Sequence, residues 1–207
     1  MLYTIFKFIF SLILKILGRY QVIGINNFPS SGPAIVVSNH ISNWDPLMVG
    51  VAMPQPINFI AKSELSRIPL VGFLMKKWGV VSIKRGHSDR EALSKSLELL
   101  KDGKVIGIFI EGKRNLGNPE IMIKPQPGAA MLALKSEVPI VPVAVINTNR
   151  ILRSFKRIKV IIGKPILFSH KTDLEGLERK EQYSQVSQEL IMTIQDLIKK
   201  ANYIGKK

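Results

Sequence analysis

Short, continuous runs of apolar and β-branched residues recur along the chain, and they constrain its fold more than any other feature. Two of them, AIVVS at residues 34–38 and IVPVAVI at residues 140–146, contain a single polar residue, Ser38, between them. A strand buried on both faces is apolar at nearly every position, whereas a strand with one solvated face alternates apolar and polar residues. Stretches of helical periodicity separate the runs, and strands that alternate with helices indicate a parallel sheet covered by helices. We therefore predict an α/β fold with a central mixed, largely parallel sheet flanked by helices.

The pattern after residue 18 divides into seven strands and five helices. The predicted strands are residues 20–25, 34–38, 58–61, 80–83, 105–110, 140–146 and 158–162. The predicted helices are residues 46–52, 69–77, 88–101, 128–136 and 178–200. The sequence contains no internal repeat and no low-complexity linker, so we predict one domain over residues 19–207.

The first 17 residues are strongly apolar, with thirteen apolar side chains. The four polar residues, Thr4, Lys7, Ser11 and Lys15, are spaced by three or four positions and therefore share one face of a helix. A membrane-spanning helix needs about 20 predominantly apolar residues with few or no charges, and two lysines interrupt this run. We therefore predict that residues 1–18 form an amphipathic helix on a membrane surface. A signal peptide, a short span and a helix packed on the core are the alternatives.

The composition excludes several classes of protein. The chain contains no cysteine, which excludes a disulfide framework, a zinc–cysteine site and a cysteine nucleophile. Hydrophobic residues make up 46% of the chain, which indicates a packed core and excludes a disordered polycation. The formal net charge is nevertheless +15, from 30 Lys and Arg against 15 Asp and Glu. Such an excess indicates an acidic partner, which can be nucleic acid, an anionic membrane or an acidic substrate.

The positive charge is concentrated in the middle of the chain. Of the 30 basic residues, 20 lie within residues 61–164, so the charge belongs to the folded body rather than to a disordered nucleic-acid-binding arm. The densest basic stretch alternates with apolar residues and contains Arg150, Arg153, Lys156, Arg157 and Lys159. Two interpretations stay open for this stretch. It is either a solvated loop and strand face or a patch that meets anionic headgroups, where each cation contributes about 1 kcal/mol.

The segment SNHISNWDP follows the first buried strand and places His40 five residues before Asp45. On one continuous helix this spacing separates the two side chains by about 140°, whereas a strand–turn–helix path allows them to meet. Pro46 favours a helix start that makes Asp45 the N-cap residue. His40 and Asp45 are therefore either a loop histidine and a helix cap, or a dyad. In a dyad the carboxylate orients the imidazole, which acts as a general base toward a bound hydroxyl.

Charged side chains also follow three other predicted strands. Lys62 comes after residues 58–61, Arg85 after residues 80–83, and Glu111, Gly112 and Arg114 after residues 105–110. If these strands are parallel, the groups share one edge of the sheet, where α/β proteins place ligand sites. Gly112 allows the backbone to turn tightly, and the alternative for Glu111 and Arg114 is a surface pair. Three cations beside a general base predict a phosphate pocket next to a reacting hydroxyl.

Four sequence blocks within residues 20–165 are similar to those of a known protein family. Asn39-His40-x4-Asp45, GVVSIKRG with Arg85, FIEGKR at residues 109–114 and VPIVPV at residues 138–143 occur in this order. In these blocks the chain resembles the glycerolipid acyltransferase family, and within it the bacterial 1-acyl-sn-glycerol-3-phosphate acyltransferases. The third block departs from the family pattern, because Ile110 replaces the usual Pro and Lys113 the usual Thr. The charged residues of that block, Glu111 and Arg114, are retained.

The resemblance implies acyl transfer from an acyl thioester, carried by acyl carrier protein or coenzyme A, to the 2-hydroxyl of lysophosphatidic acid. It implies catalytic roles for His40 and Asp45, and no metal or other cofactor. It further implies substrate binding by a larger set: Lys62, Arg85, Glu111, Gly112 and Arg114. Glu111 would orient the glycerol hydroxyl or the Arg114 side chain.

The expected location is the cytoplasmic face of the cell membrane, with peripheral or monotopic attachment to an anionic surface and no nucleic-acid partner. The sequence leaves open an acceptor such as glycerol 3-phosphate, a lysophospholipid or an amino-acid-derived lipid. It also leaves open the acyl donor, the chain length and the oligomeric state. The rival from another class is a non-catalytic basic protein that binds nucleic acid or membrane, for which binding would be salt-sensitive and independent of His40.

Overall fold

The computed structural model describes residues 11, 12, 14, 20–62, 81–83, 89–150, 156–168 and 174–204 of the 207-residue chain. In this part of the chain the strands are β1 (Tyr20–Ile23), β2 (Ala34–Ser38), β3 (Ile57–Lys62), β4 (Val81–Ile83), β5 (Val105–Phe109), β6 (Ile140–Ile146) and β7 (Ile158–Ile162). The helices are α1 (Asp45–Ala52), α2 (Asp89–Lys101), α3 (Gly128–Ser136) and α4 (Arg179–Ile204). Short 3₁₀ turns follow β1 and β6, at Ile25–Asn27 and Thr148–Arg150.

The strands form one sheet in the order β1-β7-β6-β2-β5-β3-β4. Every neighbouring pair is parallel except β6 and β7, which are antiparallel. The predicted mixed, largely parallel sheet flanked by helices is therefore confirmed. Because β2, β3, β4, β5 and β6 run in the same direction, their carboxyl ends lie at one edge of the sheet.

The residues of β2 explain why its sequence is apolar throughout. Ile35 and Val37 belong to one core cluster, and Ala34 and Val36 belong to the other. The side chains of a strand point alternately to its two faces, so β2 is covered on both sides and none of its residues is more than 1% exposed. The first cluster contains residues of α2, α3 and α4, and the second contains residues of α1. The continuous apolar run thus reflects helices on both faces of the sheet.

The predicted strands begin and end within two residues of the observed ones, and so do the described helices except α4, which continues to Ile204. The predicted helix at residues 69–77 lies outside the described residues. Of the predicted membrane-surface helix at residues 1–18, the structure describes Ser11, Leu12 and Leu14, and Leu14 is buried in the second core cluster. Among the residues that are described, no helix combines the length and the apolar character that a membrane crossing requires. The division at residue 18 therefore stays a prediction.

Candidate active site

His40 lies two residues beyond the end of β2, at the carboxyl edge of the sheet, and neighbouring groups fix its backbone on both sides. Asn39, which is 1% exposed, donates from Nδ2 to the Val145 carbonyl (3.0 Å) and accepts from the Val145 N–H (2.8 Å). The Asn115 N–H donates to the His40 carbonyl at 2.7 Å. The side-chain amide of Asn39 thus binds the backbone of β6 through two hydrogen bonds, as a neighbouring strand would, and holds His40 at the end of the sheet.

Asp45 is fully buried and meets His40 across the turn between β2 and α1. Its Oδ2 lies 2.8 Å from the His40 Nδ1 and accepts the backbone N–H groups of Ile41 and Ser42, both at 2.7 Å. The strand–turn–helix path therefore brings together two side chains that a continuous helix would separate. The predicted N-cap position is wrong by one residue, because α1 begins at Asp45 and Trp44 is the N-cap residue. The Asp45 carboxylate points back toward the loop. It binds His40 and the N–H groups of Ile41 and Ser42 there, instead of capping the N–H groups of the helix.

The second oxygen of this carboxylate also has a partner. Asp45 Oδ1 accepts a hydrogen bond from the hydroxyl of Thr148, which is fully buried just beyond the end of β6. Each oxygen of Asp45 is thus hydrogen-bonded, as burial of a charged group requires. Sequence reasoning missed Thr148, because it lies 103 residues from Asp45 and only the pairing of β2 with β6 brings the two together.

An aromatic stack supports the imidazole of His40. The Phe109 ring lies parallel to it, with centroids 4.1 Å apart and an interplanar angle of 18°, and Phe59 stacks on Phe109 at 5.6 Å. Gly107 provides the space for this arrangement, because a Cβ there would lie 2.5 Å from Phe59 Cδ1. The ring of His40 is therefore fixed by Asp45 at Nδ1 and by Phe109 on one face. Its side chain is 17% exposed, which leaves it accessible to a substrate.

Glu111 is buried beneath the loop of His40, with 1% of its surface exposed. One carboxylate oxygen accepts the backbone N–H of His40 at 2.8 Å, and the other accepts that of Ile123 at 3.0 Å. Burial raises the pKa of this carboxyl above its ordinary value, and the two backbone hydrogen bonds oppose the rise. Among the described residues no ion pair joins Glu111, which is buried, to Arg114, which is exposed. Glu111 instead joins the His40 loop to the segment around Ile123.

The chain after Glu111 forms a loop that returns to the site. Gly112 has φ +65°, a conformation that favours glycine, and its N–H closes a turn onto the Phe109 carbonyl at 3.0 Å. Asn115 is buried and donates from Nδ2 to the carbonyls of Ile121 (2.7 Å) and Asn118 (3.2 Å). Since the N–H of Asn115 also binds His40, this loop is attached directly to the candidate dyad.

The predicted phosphate-binding cations are placed less completely. Lys62 is the last residue of β3, at the same sheet edge as His40, and Arg114 is exposed in the loop after β5. Arg85 lies outside the described residues. The parallel pairing of β2, β5, β3 and β4 brings the carboxyl ends of these strands to one edge, as the sequence predicted. The phosphate pocket itself stays a prediction.

The basic stretch between β6 and β7 divides into residues with different surroundings. Lys159 donates from Nζ to the Ala201 carbonyl at 2.8 Å, near the C-terminal end of α4. A cation at that position interacts favourably with the helix dipole. Lys156 and Arg157 are exposed, Arg150 is exposed at the end of the 3₁₀ turn, and Arg153 lies outside the described residues. At least one cation of this stretch therefore has a role within the fold.

Comparisons with known proteins find acyltransferases among the relatives of this chain. The 1-acyl-sn-glycerol-3-phosphate acyltransferase of Borreliella burgdorferi is 36% identical over 131 residues, which cover 62% of this chain and 51% of that protein. The enzyme of the same name from Bacillus subtilis is 28% identical over 196 residues, 93% of this chain and 94% of that protein. The chain thus spans about half the length of the first relative and nearly all of the second.

The fold has a solved counterpart, and a family model matches most of the site. The crystal structure of the 1-acyl-sn-glycerophosphate (LPA) acyltransferase PlsC from Thermotoga maritima superposes with a TM-score of 0.71 at 22% sequence identity. The match covers 97% of this chain and 79% of that structure. The model of the family described as Acyltransferase matches residues 19–146, which include β1 to β6, His40, Asp45 and Glu111. The chain therefore belongs to the Acyltransferase family.

Proposed function

We propose that the chain transfers a fatty acyl group from an acyl thioester to the 2-hydroxyl of lysophosphatidic acid, which yields phosphatidic acid. The observation that carries this proposal is the 2.8 Å contact between His40 Nδ1 and Asp45 Oδ2 at the carboxyl edge of the sheet. The family of the chain and the printed names of its relatives from Borreliella burgdorferi and Bacillus subtilis support the choice of reaction and acceptor.

His40 acts as the general base in this proposal. Asp45 accepts the hydrogen bond of Nδ1–H, which fixes the tautomer and leaves Nε2 to take the proton of the 2-hydroxyl. The oxygen attacks the thioester carbonyl carbon, and the carbon–sulfur bond breaks. The departing sulfur then receives the proton from Nε2, so His40 returns to its initial state. The buried carboxylate stabilises the imidazolium that exists between the two proton transfers.

Cations that follow the strands in the sequence bind the phosphate of the acceptor in this proposal. Arg114, Arg85 and Lys62 are the candidates, and Lys113 adds a further exposed charge beside Arg114. Arginine suits this task because its planar guanidinium donates two parallel hydrogen bonds to phosphate oxygens. The donor is either acyl carrier protein or coenzyme A, both of which are acidic and suit a chain with a net charge of +15.

The dyad is tested with purified protein, lysophosphatidic acid and each acyl thioester in turn. His40→Ala should lower turnover by about 10²-fold or more, because general-base catalysis contributes about 10² to 10⁴. His170→Ala, at a histidine outside the acyltransferase blocks, is the matched control and should retain activity. Substantial turnover by His40→Ala would refute the dyad. The same assay with glycerol 3-phosphate, a lysophospholipid and an amino-acid-derived lipid identifies the acceptor.

The phosphate role of Arg114 is tested by Arg114→Ala. We expect the KM for lysophosphatidic acid to rise about tenfold or more, since a hydrogen bond to a charged group contributes about 1.5–3 kcal/mol. The KM for the acyl donor should change little. An equal rise in both KM values would argue against phosphate binding.

We further propose that the rim of the site faces the cytoplasmic surface of an anionic membrane, to which the chain attaches as a peripheral or monotopic protein. Three large apolar side chains near His40 are exposed to solvent: Trp44 by 40%, Ile121 by 59% and Leu116 by 79%. Leu116 and Ile121 belong to the loop that Asn115 attaches to His40. Exposed cations lie at both ends of that loop, at Lys113, Arg114 and Lys124. Apolar side chains beside cations are the pattern of a surface that binds anionic lipid.

This membrane contact is tested by cosedimentation with vesicles of phosphatidylglycerol and phosphatidylcholine. Replacing Leu116 and Ile121 together by Ser should weaken binding about tenfold or more, since tenfold corresponds to about 1.4 kcal/mol and one buried Leu side chain contributes about 1.5–3 kcal/mol. The matched control is Met192→Ser, at an apolar residue of α4 that is 52% exposed. Equal binding by the double variant and the control would refute the contact.

A further inference from the structure

Thr148 is the one partner of the Asp45 carboxylate that comes from a distant part of the chain, among the hydrogen bonds of the described residues. Its hydroxyl donates to Oδ1, whereas the three donors on Oδ2 belong to His40, Ile41 and Ser42. Thr148 is fully buried. The carboxylate is thus held on one side by its own loop and on the other side by the end of β6.

The turn that carries Thr148 is itself fixed. Asn147 adopts φ +64° and donates from Nδ2 to the Arg157 carbonyl at 2.9 Å. The Arg150 N–H closes the turn onto the Asn147 carbonyl at 3.0 Å. Two residues earlier, Val145 pairs with the amide of Asn39 in both directions. The hydroxyl of Thr148 therefore has a defined position relative to the loop of His40.

We propose that Thr148 is a positioning residue for acyl transfer, and that it acts by fixing the rotation of the Asp45 carboxylate. This inference rests on the proposed function. Oδ2 already accepts three hydrogen bonds, and the Thr148 hydroxyl adds a bond to Oδ1, which further restricts a torsion that is otherwise broad and roughly two-fold. A donor on Oδ1 holds the plane of the carboxylate while Oδ2 faces the His40 Nδ1. Without the hydroxyl, Oδ1 is a buried anionic oxygen that lacks this partner, and the carboxylate rotates or admits water.

Two substitutions separate the hydroxyl from the packing of the side chain. Thr148→Val keeps the branched shape and removes the donor, whereas Thr148→Ser keeps the donor and removes a methyl group. We expect Thr148→Val to lower kcat about 10- to 100-fold, because small misplacements of a catalytic group reach this size. The KM for lysophosphatidic acid should stay within about twofold, since Thr148 acts through Asp45 and not on the substrate. Thr148→Ser should restore most of kcat.

A double-substitution cycle tests whether Thr148 acts through Asp45. In an Asp45→Asn background Thr148→Val should have little further effect on kcat, because residues that act as a unit are not additive. A loss of kcat in Thr148→Ser as large as in Thr148→Val would overturn the inference, and so would two independent, multiplying losses in the cycle. Thermal unfolding of each variant shows whether the fold is retained.

A parallel assay of His40→Ala distinguishes a failure of the role of Thr148 from a failure of the proposed function. If His40→Ala is inactive and Thr148→Val has wild-type kcat, the proposed general base stands and the role of Thr148 is refuted. If His40→Ala retains wild-type turnover, the dyad itself is refuted, and the inference with it.

Discussion

The link between Asn39 and Val145 gives the sharpest prediction about stability. The side chain of Asn39 both donates to and accepts from the backbone of Val145, at 3.0 and 2.8 Å, and the two residues are each 1% exposed. In Asn39→Ala the Val145 N–H and carbonyl lose these partners at a site remote from solvent. A buried polar group left unsatisfied costs about 1–3 kcal/mol. For the two groups together we therefore expect the free energy of unfolding to fall by about 2–6 kcal/mol.

Asn58→Ala is the matched control for Asn39→Ala. Asn58 makes one comparable bond, from Nδ2 to the Val105 carbonyl at 3.1 Å, at a position that is only half-buried. Removing a single bond of this kind should cost about 0.5–1.5 kcal/mol. For a chain of this length each 1 kcal/mol lowers the Tm by about 2–4 °C. Asn39→Ala should thus lower the Tm by about 4–24 °C, and Asn58→Ala by a few degrees.

Thermal and urea unfolding in the same buffer measure both variants, and acyl transfer is measured well below either Tm. Because Asn39 directly precedes His40, we also expect Asn39→Ala to lower kcat while Asn58→Ala does not. Equal stability losses in the two variants would refute the reasoning, since the double hydrogen bond would then contribute nothing beyond a single one.

The remaining predictions concern the ring stack and the buried acid. Gly107→Ala places a Cβ 2.5 Å from Phe59 Cδ1, so we expect a stability loss of about 1–3 kcal/mol and a lower kcat. Gly128→Ala, where a Cβ contacts nothing within 4 Å, is the control and should leave kcat unchanged and the stability equal or slightly higher. Burial raises the pKa of the Glu111 carboxyl in the folded state. The protonated Glu111 carboxyl therefore contributes fully to the free energy of unfolding below the ordinary carboxyl pKa. This contribution is lost as the pH rises through the raised pKa of the folded state. Urea titrations at a series of pH values should therefore show the free energy of unfolding of the wild-type protein falling relative to Glu111→Gln as the pH rises, and a constant or rising difference would contradict the burial argument.

The fold was largely readable from the sequence for a physical reason. A strand covered on both faces must be apolar at every position, so AIVVS in β2 and IVPVAVI in β6 were recognisable without any tertiary information. Helix α2 carries an amphipathic periodicity of its own and ends two residues before Gly103. The registers, the strand order and the antiparallel pairing of β6 with β7 depend on contacts between distant segments, and no local pattern encodes them.

The same division applies to the candidate site. His40, Asp45, Glu111 and Arg114 stand in short blocks that resemble those of the acyltransferase family, so the sequence alone singled them out as candidates. Only the folded chain decided what surrounds them. In the folded chain the Asp45 carboxylate faces His40 rather than capping the helix, and Phe109 stacks on the imidazole. Both carboxylate oxygens of Glu111 accept backbone N–H groups. The fold also brought Thr148 to Asp45 across 103 residues, because hydrogen-bond partners are selected by proximity in the sheet and not by separation along the chain.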